Sequence, residues 1–146
     1  MENIKIQKKD IYKIQVNEKG ECIEFDLADI SLRAKCYDAL DKLELIRDEY
    51  EKRFKTIKSD KDLAYIENDM FNEMRSAMDV FLGEGACQKI FGNRNYYEMF
   101  NDLMDELSKK RPELNGKSHI DMLNLSAEKL RDRIVHKYAK NYKNVI

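Results

Sequence analysis

The sequence has few of the residues that interrupt regular structure: it contains one proline, no tryptophan and five glycines. Proline and glycine mark most turns, so their scarcity favours long helices over many short strands. No apolar run approaches the ~20 residues that a membrane helix needs, and residues 1–10 lack the apolar core of a signal peptide. We therefore expect a cytoplasmic protein that does not enter a membrane.

Motifs for catalysis or cofactor binding are also missing from the sequence. Cys22, Cys36 and Cys87 form a dispersed, odd-numbered set, which is typical of a reducing compartment. Cys87 lies near the start of a turn, where a helix N-terminus can lower a thiol pKa, but its apolar neighbours favour a buried, inert thiol. His119 and His136 stand in no metal-ligand spacing, and no glycine-rich phosphate-binding motif is present. We predict no cofactor, no metal and no enzymatic activity.

The charges are nearly balanced over the whole chain, with 27 basic and 28 acidic side chains and a net charge of −1. Their distribution is uneven, because residues 60–107 have eleven acidic and four basic side chains, whereas residues 117–146 have seven basic and three acidic ones. Four basic side chains recur at helical spacing in the second segment: Lys129, Arg133, Lys137 and Lys140. This basic face predicts an electrostatic match with the acidic middle, within or between subunits. Nucleic-acid binding is the alternative, and a nearly neutral chain gives it little support.

Alternating apolar and polar residues near the N-terminus predict a β-hairpin over about residues 11–25. Tyr12, Ile14 and Val16 form the first run, and Ile23 and Phe25 repeat the pattern. Between the runs, the segment 17–20 begins with Asn and ends with Gly, the preference of a type I turn followed by a left-handed residue. A lone hairpin is marginal in water, so it must pack on the helices or pair with another strand. That additional strand could come from the segment with the isoleucines at positions 4 and 6, or from the edge of a neighbouring subunit.

From Asp29, which can cap a helix start, the apolar period becomes helical. The first apolar stripe is Leu32, Cys36, Leu40, Leu43, Arg47, Tyr50, Phe54 and Ile57. The second, after a break capped by Ser59 or Asp60, is Leu63, Ile66, Met70, Met74, Ala77 and Phe81. The two stripes predict an antiparallel helical pair. Asn95 is predicted to cap the next helix, which ends before Pro112, and a final helix is expected from about residue 118.

These patterns predict a single α+β domain over residues 1–146 that is predominantly helical. It divides into an N-terminal β-hairpin element (1–27), a helical body (28–111) and a basic C-terminal helix (117–146). Four main helices are expected, and a glycine-rich helix–loop–helix corner lies within the body.

The corner contains three of the five glycines, Gly83, Gly85 and Gly92, on either side of a single turn over 86–91. Glycine enters left-handed backbone conformations without steric cost, so these residues indicate sharp changes of chain direction. Two interpretations are open. The corner is either a packed junction with the aromatic and aliphatic residues inside, or a surface that a partner contacts.

The segment FLGEGACQKIFG, residues 81–92, resembles the corresponding corner of small tail assembly chaperones of Firmicutes siphophages and prophages. The resemblance is closest over about residues 60–110. It implies a non-catalytic protein of the host cytoplasm that binds and solubilises a long helical tape measure protein and yields to tail tube protein. The residues predicted to contact the partner are Phe81, Gly83, Gly85, Ile90, Phe91, Gly92, Met99 and Phe100.

Methionines cluster around the same corner, and they allow two interpretations. Met side chains either form a pliable groove that accepts many helical sequences or fill the core. The clustered residues are Met70, Met74, Met78, Met99 and Met104. A chaperone of this kind is expected to self-associate, because many weak contacts along one partner give a high total affinity. A small helical regulator, or a nucleic-acid-associated protein acting through the basic C-terminal helix, is the alternative function.

Overall fold

The computed structural model describes residues 1–114, in which a two-stranded hairpin precedes four helices. The elements are β1 (Ile11–Gln15), β2 (Cys22–Asp26), α1 (Ser31–Phe54), α2 (Asp60–Leu82), α3 (Ala86–Phe91) and α4 (Met99–Lys110), followed by a 3-10 turn (Pro112–Leu114). This order confirms the predicted α+β, predominantly helical fold. The predicted basic helix over 117–146 lies outside the described residues.

The hairpin pairs β1 and β2 antiparallel, with Tyr12 opposite Phe25 and Ile14 opposite Ile23. The turn closes as the sequence indicates, since Gly20 has a φ of 81° and its N–H donates to the Asn17 carbonyl at 3.3 Å. Within residues 1–114 the sheet has two strands, so the alternative of a third strand from positions 4 and 6 is wrong. The backbone turns just before β1, where Asp10 has a φ of 58°, and residues 1–9 take no strand conformation.

Helices α1 and α2 form a helical hairpin joined by residues 55–59, as the two apolar stripes predict. Both starts are fixed by side chains that accept orphan backbone N–H groups. Asp29 Oδ1 accepts from Ser31 N at 2.9 Å, and Ser59 Oγ accepts from Asp62 N at 3.1 Å. The buried face of α2 meets the inner face of β2, where the Phe25 and Phe81 rings lie 5.4 Å apart.

The clustered methionines are core residues. Each of the five is at most 1% exposed, so none of them lines a groove in this conformation: Met70, Met74, Met78, Met99 and Met104. The interpretation of a methionine-lined groove is therefore wrong, and the core-filling interpretation is confirmed. The flexible thioether side chain suits a core whose walls come from two long helices, a short helix and a sheet.

The start of α4 differs from the prediction. The helix begins at Met99, with Glu98 at the N-cap position, whereas the predicted cap, Asn95, lies three positions before Glu98. The Asn95 amide is engaged elsewhere, because it donates to side chains of α2. Tertiary hydrogen bonding therefore outweighs the local capping preference of this residue.

Candidate functional site

A row of polar side chains on α2 holds the glycine corner in place. Asn68, Asn72, Arg75 and Asp79 are spaced by four, three and four residues, so they share one face of the helix. Arg75 is the centre of this polar row. Its guanidinium donates to the Cys87 carbonyl at 3.1 Å, to the Gly92 carbonyl and to Asn95 Oδ1 at 3.3 Å. One cation thereby fixes both ends of α3 and the segment that follows it.

The remaining members of the polar row bind the corner on either side of Arg75. Asp79 Oδ1 accepts from the Cys87 N–H at 2.9 Å, which satisfies a free donor in the first turn of α3. Asn95 Nδ2 donates to Asn68 Oδ1 and to Asn72 Oδ1, both at 3.1 Å. The helical spacing of the polar row can be read from the sequence, so the sequence indicates that these residues share one face of α2. It does not indicate that the glycine corner is their partner.

The three corner glycines all have positive φ, as their spacing predicts. The values are 112° at Gly83, 73° at Gly85 and 63° at Gly92. A Cβ at any of these positions would meet no atom within 4 Å. Glycine is therefore required by the backbone conformation and not by close packing.

The hairpin is fastened to the corner by a reciprocal pair of hydrogen bonds. Asn17 Nδ2 donates to the Lys89 carbonyl at 2.9 Å, and Lys89 Nζ donates to the Cys22 carbonyl at 3.3 Å. These contacts join residues that are 72 and 67 positions apart in sequence. They set the distance between the hairpin and α3, and that distance determines the shape of the surface between them.

A groove of about 310 Å³ lies between the hairpin, α3 and α4, and we call it the hairpin–α4 groove. Its apolar lining residues are Ile14, Val16, Ile23, Ile90, Phe91, Tyr96, Leu103 and Leu107. Gln15 and three charged residues of α4 complete it. Those three, Asp102, Glu106 and Lys110, are spaced by four residues along the helix, so they form a polar edge beside an apolar floor. Such an arrangement suits an amphipathic ligand.

The eight residues predicted to contact a partner occupy three different environments. Ile90 and Phe91 are half-buried and line the groove. Phe81, Met99 and Phe100 are core residues, at most 5% exposed, and support the corner from beneath.

The glycines among the eight have separate roles. Gly85 and Gly92 shape the two ends of α3, whereas Gly83 lines a different, more polar depression beside Lys13 and Glu24. Sequence reasoning did not find the contribution of the hairpin, since Ile14 and Val16 reach the groove only through tertiary packing.

Neither buried thiol is activated. Burial raises the pKa of Cys36 to about 11 and raises the pKa of Cys87 well above its ordinary value. The Asp79 carboxylate beside Cys87 raises that pKa further, because a nearby negative charge disfavours a thiolate. The structure therefore gives Cys87 no thiolate character from the start of α3.

Over residues 1–114, no group of three or more His, Cys, Asp or Glu side chains is placed to hold a metal ion, and no helix is long and apolar enough to span a membrane.

The fold and the groove together define a small α+β protein with an apolar, partly open surface beside a glycine corner that is hydrogen-bonded to α2. A family model described as a family of unknown function (DUF6673) matches residues 19–144, and the chain belongs to that family. No curated protein and no solved structure matches the chain.

Proposed function

We propose that this protein is a phage or prophage tail assembly chaperone that binds and solubilises a tape measure protein through the hairpin–α4 groove. The observation that carries the proposal is the position of the groove. Partly exposed apolar side chains from three elements converge beside the corner whose sequence resembles that of tail assembly chaperones. In this proposal the protein acts in the cytoplasm of the host, and tail tube protein displaces it from the tape measure.

The chemistry of the groove supports a helical ligand. Tape measure proteins are long amphipathic helices, and their apolar stripes aggregate unless they are covered. Ile90 and Phe91 offer an apolar floor, and the charged row of α4 provides a polar edge for the hydrophilic face of such a helix. A groove of this size covers only a few turns of one helix. Many copies must therefore bind along each tape measure, each with modest affinity.

The hydrogen bonds that hold the groove also support binding. Both of its walls are held by hydrogen bonds to distant segments, one at Lys89 and the other at Arg75. A binding surface that is formed before the ligand arrives loses little conformational entropy on binding.

Co-expression with a long coiled-coil tape measure protein tests the proposal. The wild-type protein should keep that partner in the soluble fraction and should co-purify with it. Ile90→Glu and Val16→Glu place a charge in the groove, and each should abolish solubilisation. Val80→Glu is the matched control, because Val80 is an apolar residue on α2, 60% exposed and outside the groove.

Circular dichroism and thermal unfolding establish that the groove variants remain folded. A partner that stays insoluble with the wild-type protein would contradict the chaperone function. A partner that is solubilised equally by wild type, Ile90→Glu and Val16→Glu would place the binding surface elsewhere. Co-purification of nucleic acid alone, with release by salt, would favour the regulatory alternative.

A further inference from the structure

A second apolar groove lies at the N-terminal end of α1, on a part of the surface that the proposed function does not use. It has a volume of about 230 Å³, and its lining includes Leu27, Ile30, Leu32, Tyr37 and Leu114. We call it the α1 groove. Ile30 is 94% exposed and Tyr37 is 40% exposed at its rim. Large apolar side chains that line a concave surface and remain exposed are typical of a docking site.

The chain itself leads into this groove. Leu114 is 3% exposed, lines the groove and is the last described residue, so the 32 residues 115–146 continue from the groove itself. Their sequence has apolar residues at helical spacing: Ile120, Leu123, Ala127, Leu130, Ile134 and Tyr138. The first of these residues, Ile120 and Leu123, need an apolar surface to cover them, and the α1 groove, which Leu114 lines, is such a surface.

The acidic charge on α1 is complementary to the basic charge in residues 115–146. Beyond the groove, Asp41, Glu44, Asp48 and Glu51 are spaced by three, four and three residues, and we call them the acidic row. Arg47 lies among them and its guanidinium contacts Glu44 at 3.7 Å and Asp48 at 3.0 Å. Four carboxylates and this one guanidinium leave a net charge of −3 along the row.

The complementary basic residues are those at positions 129, 133, 137 and 140, spaced by four, four and three residues. A helix over residues 118–140 would be about 35 Å long, and α1 from Ile30 to Glu51 extends about 32 Å. Because the α1 groove lies at the N-terminal end of α1, the surface of α1 continues from the groove only towards the C-terminal end of α1. A segment that starts in the groove and follows α1 therefore brings its basic residues level with the acidic row along the axis of α1.

We infer that residues 118–140 dock on their own chain, with the apolar start of the segment in the α1 groove and its basic residues along the acidic row. The docked segment covers Ile30 and Tyr37, and it brings the C-terminal part of the chain against α1, the first helix. This inference does not depend on the proposed function, since the hairpin–α4 groove is lined by other residues.

Cross-linking in the full-length protein tests the docking. In a Cys22→Ser background, Ile30→Cys is combined with Leu123→Cys and treated with a short bis-maleimide. The matched control combines Leu123→Cys with Tyr65→Cys, because Tyr65 is 62% exposed on α2. We expect a cross-link within one chain that forms at least tenfold faster for the Ile30 pair than for the Tyr65 pair.

Two results would overturn the inference. Equal rates for the two pairs would show that the segment does not dock at the α1 groove. A cross-linked dimer as the main product would make a second copy of the chain, and not the same chain, the occupant.

Charge reversal tests the position along α1. Asp41→Lys with Asp48→Lys should slow the Ile30–Leu123 cross-link about tenfold, and Arg133→Glu with Lys137→Glu should do the same. Combining both sets of substitutions restores opposite charges and should restore the rate. An unchanged rate in either double variant, or no recovery in the combination, would overturn the match between the acidic row and the basic residues.

Discussion

At the residue scale, Arg75 donates hydrogen bonds to two backbone carbonyls of the corner, those of Cys87 and Gly92. Its guanidinium contacts acceptors on both sides of α3, and charge-assisted hydrogen bonds are stronger than neutral ones. Arg75→Gln should reduce the free energy of unfolding by about 2 kcal/mol. Urea denaturation measures the change. Lys61→Gln, an exposed substitution on the same helix, should change it by no more than about 0.5 kcal/mol, and an equal effect of the two would contradict the role of Arg75.

Two glycines of the corner differ in how strictly they require glycine. Gly85 has φ 73° and ψ 7°, a left-handed conformation that asparagine tolerates, whereas Gly92 has φ 63° and ψ −141°, a region almost restricted to glycine. Alanine should therefore cost about 1 kcal/mol at Gly85 and about 2 kcal/mol or more at Gly92. Asparagine should recover part of the stability at Gly85 only. Recovery by asparagine at both positions would show that the backbone at Gly92 relaxes.

The thiols give a prediction with a defined pH dependence. The pKa of Cys36 is raised by burial to about 11, so the folded protein favours the neutral thiol. An unfolded thiol ionises at about pH 8.5. The stabilising contribution is therefore complete below that pH and is lost as the pH rises towards 11.

Stability measured by urea denaturation should accordingly fall between pH 8.5 and 11 in the wild type, and less steeply in Cys36→Ala. At pH 8 a thiol reagent should modify the half-exposed Cys22 and should reach Cys36 and Cys87 only after unfolding. Rapid labelling of Cys87 in the folded protein would contradict its burial.

At the scale of single elements, the hairpin depends on the corner for its position. Asn17→Ala removes the hydrogen bond to the Lys89 carbonyl and the one that Asn17 Oδ1 accepts from the Glu21 N–H, and it should destabilise the protein by about 1–2 kcal/mol. Amide exchange should rise in β1 and β2 more than in α2, because one lost contact closes the hairpin turn and the other joins the hairpin to α3. Glu18→Ala in the same turn, at an exposed residue, is the control. Uniform acceleration of exchange in all elements would show that the hairpin does not open independently.

Periodicity predicts these elements well where one rule dominates. The two-residue alternation around Ile14 and Ile23 gives the hairpin, and the positive φ values follow from glycine at its expected positions. The prediction fails where a side chain is used in tertiary structure, as at Asn95, whose amide joins α2 and leaves the start of α4 to Glu98. The groove could be predicted only in part. Ile90 and Phe91 are near the recognisable corner, but Val16 reaches them by packing between residues distant in sequence.

At the scale of the whole molecule, binding through an apolar groove predicts a weak dependence on salt. Hydrophobic contacts persist as ionic strength rises, whereas phosphate contacts lose about three or more orders of magnitude in affinity between about 50 and 200 mM salt. The affinity for a tape measure fragment should therefore change by less than about threefold over that range. Fluorescence anisotropy with a labelled fragment measures it, and a single-stranded oligonucleotide is the comparison ligand. A steep loss for the fragment would assign the binding to charged surfaces.

The hairpin–α4 groove has walls from opposite ends of the described chain, residues 14–23 on one side and residues 90–110 on the other. During translation the first wall leaves the ribosome long before the second, so no nascent chain shorter than about 110 residues presents the complete surface. The apolar side chains of the hairpin that face the groove pack against α3 and α4 only after those helices have been synthesised. A chain that stops before α4 therefore lacks the complete groove, and under the function proposed above it has no binding site.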